Sequence, residues 1–337
     1  MRIVRYCLPI LPFVLFACVF AGGNASPPAQ TNPNVPSVPG KCGDGVCEGP
    51  ENPDLCPQDC PAAGSTGGEA GILSAGSEEN TYWLVNPASG AKLFLWVSYP
   101  ESGGESLLPV LILIPGGLGT PDLQAAVETD VLRMTAAGFA VVQFDADGRG
   151  ASGGEEDYNG FVHQDGLAAL ILAAAQIPRV DPFQLGVISR SYGVTMASGA
   201  LGRHPDLPVR FYIDWEGPSD REYTTHDCPA ESLGIAWPPC DDEAFWSERE
   251  AVNFIGAVRV PYQRIQTATD HAQGASTGHA VDMVNAAVQG GVPWVRLNNY
   301  PVNQIYDAAH PPAMFPDSYD KQLVELMIRY AGEMLEL

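Results

Sequence analysis

The segment Leu185-Gly-Val-Ile-Ser-Arg-Ser191-Tyr-Gly193-Val-Thr-Met-Ala-Ser-Gly199 runs an apolar, β-branched stretch directly into a run of small, helix-compatible residues. Ser-Arg-Ser-Tyr-Gly stands at the joint. A strand that turns sharply into a helix leaves no room beside the residue at its apex, so the positions two before and two after it must be small. Here they are Ser189 and Gly193, a variant of G-x-S-x-G with serine for the first glycine. Two readings follow for Ser191: a nucleophile raised on a tight turn, or the N-cap of an ordinary helix.

The flanking sequence sets that joint in an alternating pattern. Apolar runs at Leu108–Ile114, Phe139–Phe144, Phe183–Ile188, Val209–Ile213, Tyr262–Thr267 and Trp294–Leu297 carry no polar face, as expected of central strands covered on both sides. Between and after them lie helical stretches at Asp122–Ala137, His163–Ala175, Tyr192–Leu201, His279–Gln289 and about Ser318–Leu335. Thr81–Asn86 and Leu93–Tyr99 read as an opening antiparallel pair joined by Pro-Ala-Ser-Gly turn chemistry. The expectation is an α/β fold with a mostly parallel sheet and helices on both faces.

A serine nucleophile needs oxyanion donors, a base and an orienting acid. Pro115-Gly116-Gly117-Leu118-Gly119, after the first of the central strands, is a side-chain-poor loop that can offer the Gly117 N–H. The second donor is the Tyr192 N–H at the start of the following helix, where the dipole favours negative charge. Gln266-Thr-Ala-Thr-Asp270 delivers Asp270 at the carboxyl end of a strand, where ligands collect in open parallel sheets. Asp270 is the expected acid, with Asp214 and Glu216 as the fallback.

Of the histidines, His163 and His204 precede Ser191, whereas His226, His271, His279 and His310 follow it. His310 alone follows the last strand, in a loop able to reach back, and is the expected base; His279 is the next choice. His271, adjacent to the expected acid, would need a contorted backbone.

These segments resemble the α/β-hydrolase superfamily, in particular the dienelactone-hydrolase and prolyl-oligopeptidase-like branches, over about residues 81–335. Phe144-Asp-Ala-Asp-Gly-Arg-Gly150-Ala-Ser152-Gly-Gly is similar to the D-x-R-G-x-G-x-S loop of many members, with one shifted glycine, and Thr269-Asp270-His271 is similar to their acid turn. The resemblance implies a triad of Ser191, Asp270 and His310, an acyl-enzyme on Ser191, and neither metal nor redox cofactor. It also implies an inserted lid, here about residues 218–261. Within it Cys228 and Cys240 are expected to bridge, and Trp237, Phe245 and Trp246 suggest an apolar acyl or aryl pocket.

The N-terminal residues read differently. Arg2 and Arg5 precede a short apolar stretch ending in small residues, the pattern of an export signal over residues 1–21. Cleavage after Ala21 or Ala25 and lipidation of Cys18 in Leu15-Phe-Ala-Cys18 are the alternatives. Pro/Asn/Ser/Gly-rich linkers at 22–41 and 61–77 flank a module at 42–60 with almost no apolar side chains. Its order must come from cross-links among Cys42, Cys47, Cys56 and Cys60; their spacing is poor for zinc. Asp44, Asn52, Asp54 and Asp59 are oxygen ligands of the type calcium takes, or simply solvated. Residues 78–337 form the hydrolase-like domain.

Seventeen Lys+Arg against 40 Asp+Glu give a formal charge of −23, which repels polyanions and argues against a nucleic-acid partner. The combined expectation is an exported, extracytoplasmic serine hydrolase acting on a small-molecule carboxylic ester. A serine peptidase and a non-catalytic binding protein on the same fold are the alternatives.

Overall fold

A computed structural model describes residues 73–337 except 102–103, 119–121, 230 and 233, and except the side chains of 122–128. Chain contacts divide the protein into Met1–Ser65 and Thr66–Leu337, and all described residues fall in the second unit. The expected signal, Cys18 lipidation, linker 22–41, four-cysteine module and its calcium therefore lie outside the described residues.

Nine strands form one sheet: β1 (Ser74–Ala75), β2 (Thr81–Val85), β3 (Lys92–Ser98), β4 (Leu108–Ile114), β5 (Ala140–Phe144), β6 (Val180–Arg190), β7 (Phe211–Trp215), and two further strands nearer the C-terminus. Between β7 and those two strands α4 (Arg221–Thr225), the small hairpin β8 (Glu231–Ser232) and β9 (Ile235–Ala236), α5 (Glu243–Trp246) and α6 (Val252–Ile255) follow in turn. The sheet is completed by β10 (Tyr262–Ile265) and β11 (Val295–Leu297), in spatial order β1-β2-β3-β5-β4-β6-β7-β10-β11. The first three strands join antiparallel, and every pairing from β5 to β11 is parallel.

Side chains alternate across this sheet with the period of two that a strand imposes. Val110, Ile112 and Ile114 of β4 enter one apolar core together with α2 (Phe161–Ala174), α3 (Gly193–Arg203) and α7 (Gly278–Gly290). Leu111 and Leu113 enter the other, against α1 (Asp122–Ala136) and α8 (Leu323–Leu335). Both faces are therefore covered, which is why these strands read as continuous apolar runs. In α8 the buried Leu323, Leu326, Met327, Tyr330, Ala331 and Met334 recur at the three- and four-residue spacing of one helix face.

The segment expected as a lid, residues 218–261, is not uniform. Ala251, Ile255 and Val258 are fully buried in the same core as α3 and α7, so its last part belongs to the body. Cys228 and Cys240 form a disulfide with Cα atoms 5.8 Å apart. Among the described residues no helix is long and apolar enough to cross a membrane.

Candidate active site

Strands β6, β7 and β10 are consecutive neighbours, and their register places Arg190, Trp215 and Ile265 in one row. The chain leaves the sheet just beyond that row, so Ser191 and Glu216 emerge side by side at the carboxyl edge. Ser191 N–H donates to the Trp215 carbonyl at 2.8 Å, and Glu216 N–H to the Ile265 carbonyl at 3.1 Å. Both residues sit in the left-handed region, Ser191 at φ 48° and Glu216 at φ 49°, a conformation that costs a non-glycine residue of order 1–3 kcal/mol.

The expected elbow is the observed one: β6 ends at Arg190 and α3 begins at Gly193. A Cβ at Gly193 would lie 2.5 Å from the Pro115 carbonyl oxygen, so only glycine fits where the helix crosses the loop after β4. Ser189 tolerates its hydroxyl because that group, fully buried, is 2.7 Å from the Tyr212 hydroxyl. The loop itself abuts the apex, since a Cβ on Gly116 would lie 2.8 Å from the Ser191 Cβ. Gly117 follows in a left-handed conformation at φ 59°. Behind the elbow the Tyr192 carbonyl accepts from Asn159 Nδ2 at 2.8 Å, and Asn159 N–H approaches His163 Nδ1 at 3.1 Å. Burial pushes His163 down to a pKa of about 3, so this support is an uncharged imidazole at neutral pH.

The imidazole that meets Ser191 is His271. Its Nε2 lies 2.8 Å from Ser191 Oγ, and its Nδ1 lies 2.9 Å from Glu216 Oε2. With the proton on Nδ1 donated to the carboxylate, Nε2 is left to accept from the serine hydroxyl. Trp215 stacks on the ring, with centroids 4.7 Å apart and 24° between planes. Glu216 is buried; its Oε2 also accepts the His271 backbone N–H at 3.1 Å, and its Oε1 accepts from the Thr267 N–H at 2.9 Å and from the Thr267 hydroxyl. Burial alone would raise the Glu216 pKa, but the hydrogen bonds from His271 and Thr267 outweigh it and hold the group below the usual glutamate range.

The structure does not bring His310 or Asp270 into hydrogen-bond contact with Ser191 or with each other. His310 is 86% exposed and its Nδ1 pairs locally with Asp307 at 2.8 Å, in a loop whose returning end is pinned at Phe315 against Thr267. Asp270 is spent on the turn that carries His271: Oδ1 accepts the N–H groups of Ala272 and Gln273, both at 2.8 Å, and Oδ2 accepts from Gln266 Nε2 at 2.9 Å. His279, fully buried, approaches Asp270 Oδ2 at 3.3 Å without hydrogen-bond alignment. Burial would push Asp270 up, but His279, Gln266 and the turn amides outweigh it and hold it well below the usual range. Asp270 Oδ1 stands 3.6 Å from His271 Nδ1, farther than Glu216.

Asp214, the other fallback acid, is wholly buried and ion-paired to Arg264, and Tyr262 OH donates to it at 3.0 Å. The contorted backbone expected to exclude His271 is not needed: Asp270 and Gly274 close a tight turn through hydrogen bonds of 2.7 and 3.1 Å, with Gly274 rather than His271 in the left-handed region, at φ 59°. The readable signal was Asp270-His271 followed by Gly274, a tight-turn composition immediately after a strand. Glu216, Asp270 and His271 also have ligand atoms within 4.8 Å of one another, the spacing of a cation site. In that cluster His271 Nδ1 and both Asp270 oxygens already have hydrogen-bond partners.

Beside the elbow, Tyr192, Trp237 and Trp246 form an aromatic cluster with Leu118, Tyr158, Ile235 and Phe245 packed against it. Tyr192 meets Trp237 edge-on at 5.5 Å, and Tyr158 meets Phe245 edge-on at 5.9 Å, the arrangement aromatic quadrupoles favour.

Neither the family models nor the curated proteins contain a match to this chain. Solved structures do match. Dipeptidyl peptidase 4 of Porphyromonas gingivalis is 16% identical with a TM-score of 0.53, over 72% of this chain and 33% of that one. A puromycin-hydrolyzing peptidase of Mycobacterium tuberculosis is 16% identical with a TM-score of 0.54, over 76% and 39%. Est1E of Butyrivibrio proteoclasticus, solved with ferulic acid bound, is 16% identical with a TM-score of 0.52, over 74% and 97%. The chain thus spans only 33% and 39% of the two peptidases. Together with the sheet order and the elbow, these likenesses establish the α/β-hydrolase fold expected from the sequence.

Proposed function

We propose that this protein is an exported serine hydrolase that cleaves carboxylic esters through an acyl-enzyme on Ser191, with His271 as base and Glu216 as the orienting acid. The observation that carries the reading is the hydrogen-bonded row Ser191 Oγ, His271 Nε2 and Nδ1, Glu216 Oε2. His271 Nε2 takes the hydroxyl proton as Oγ attacks the ester carbonyl, and Glu216 stabilises the imidazolium. The N–H groups of Tyr192 and Gly117 receive the oxyanion. On collapse His271 returns its proton to the departing alcohol, and water repeats the sequence to free the acid.

Support for an ester rather than a peptide comes from the apolar aromatic cluster beside the elbow, Tyr192 and Trp237 with Tyr158 and Phe245 packed against them, surroundings that suit an apolar or aryl group. It also comes from the likeness to Est1E, which extends over 97% of that chain, whereas most of each peptidase has no counterpart here. The Cys228–Cys240 bridge fits an oxidising compartment.

The test is a kinetic series of p-nitrophenyl esters of graded acyl length and aryl acyl esters, beside aminoacyl and dipeptidyl anilides. Aryl and medium-chain esters are expected to have the highest kcat/KM, with Ser191→Ala inert on all. Anilides turned over faster than every ester would replace this reading with the peptidase one.

A further inference from the structure

The turn after α4 holds three consecutive non-glycine residues in the left-handed region: His226 at φ 57°, Asp227 at φ 64° and Cys228 at φ 63°. L-residues meet steric resistance there, so such a run persists only where its surroundings over-determine it, a situation typical of functional sites. Here the surroundings do so at both ends. Cys228 N–H donates to Thr225 Oγ1 at 2.8 Å, and Cys228 is bonded to Cys240. The Cys240 carbonyl in turn accepts from Arg221 Nη1 at 2.6 Å, and the same guanidinium binds Glu243 and Glu250.

His226 uses both ring nitrogens. The Ala272 carbonyl can only accept, so Nε2 carries the proton and donates to it at 3.1 Å; Nδ1 then accepts from the Ser232 hydroxyl at 2.9 Å. Ala272 is the residue after His271. One position further, Gln273 Nε2 donates to the Tyr223 carbonyl in α4 at 2.6 Å. Asp270 and Glu216 hold the amide side of the histidine-bearing turn, and His226 holds its carbonyl side.

We propose that His226 is a positioning residue: clamped by the Cys228–Cys240 bridge, it fixes the Ala272 carbonyl and thereby the angle at which His271 meets Ser191. The disulfide so governs turnover from outside the reacting row. This rests on the reading of Ser191 and His271 as the reacting pair.

The test uses the full chain, with p-nitrophenyl ester turnover and fluorophosphonate labelling. His226→Ala is expected to lower kcat by about tenfold to a hundredfold, the scale of a small misalignment of reacting groups, with KM unchanged. His226→Gln, whose amide N–H can reach the same carbonyl, is expected to recover most of the loss, which a merely structural role would not give. The Cys228→Ser/Cys240→Ser variant is expected to match His226→Ala, and the three substitutions together to fall no further. Wild-type kcat in His226→Ala, no recovery in His226→Gln, or losses that multiply would each overturn the proposal. If circular dichroism shows His226→Ala unfolded, the cysteine variant decides: wild-type kcat there overturns it, and a loss confined to kcat supports it. A wild-type protein that neither turns over ester nor labels at Ser191 removes the hydrolase reading itself; normal labelling with an unaltered His226→Ala removes only the positioning role.

Discussion

Replacing His271 with alanine is expected to lower kcat by about 10⁶-fold, because removing a triad histidine costs about as much as removing the whole triad. KM is expected to stay near the wild-type value, since in the proposed mechanism the ring acts on the serine proton in the transition state and not on bound substrate. His310→Ala is expected to leave both constants unchanged: that side chain is 86% exposed and pairs with Asp307. Glu216→Gln is expected to fall between them, at about 10⁴-fold, the cost of losing the correct tautomer while keeping the shape. Steady-state kinetics on one p-nitrophenyl ester measures all three, and an active His271→Ala enzyme would refute the assignment.

The largest expected effect on stability is Arg264→Met. The guanidinium is fully buried and ion-paired with Asp214. It also donates to the Gly217 carbonyl at 2.8 Å and to Gln266 Oε1 at 2.7 Å, and lies 2.9 Å from His279 Nδ1. Removing it strands the buried Asp214 carboxylate, a change that costs about 3–5 kcal/mol against a total stability of about 5–15 kcal/mol for a typical domain. Asp214→Leu combined with Arg264→Met is expected to be less destabilised than Arg264→Met alone, because the charge disappears with its partner. Urea unfolding of the three proteins checks this; a single variant as stable as wild type would show that the pair contributes nothing net. Gly217 follows Glu216 and Gln266 bonds Asp270, so the same variant is expected to lose activity below its unfolding midpoint.

The fold was legible because apolar content and period report burial directly. Leu108–Ile114 lies on both apolar cores at once, and its sequence shows no polar face for that reason. The sharp turn at Ser191 was legible because an elbow forces small residues at fixed offsets, which leaves a local trace. The partners left a weaker one. Chain order pointed to a histidine beyond the last strand, but the order serine, acid, histidine is also satisfied by Glu216 and His271, each from an adjacent strand. What separates the two solutions is a pair of local conformations, Glu216 at φ 49° and the closed Asp270–Gly274 turn. Glu216 leaves no residue-type signature, because glutamate does not favour the left-handed region; the turn leaves only Gly274, its left-handed residue, and such a glycine marks a turn without saying which side chain the turn presents. Asp270 misled for a related reason: a carboxylate at a strand end serves equally as the acid of a triad or as the acceptor that ties a turn, and only the positions of the Ala272 and Gln273 amides decide between them.

The most direct test of the account is fluorophosphonate labelling of the purified protein followed by peptide mass spectrometry, in wild type, Ser191→Ala, His271→Ala and His310→Ala. A single adduct on Ser191 that survives His310→Ala and vanishes in the other two variants is the predicted result. An adduct on another residue, or one that persists in His271→Ala and vanishes in His310→Ala, would contradict it.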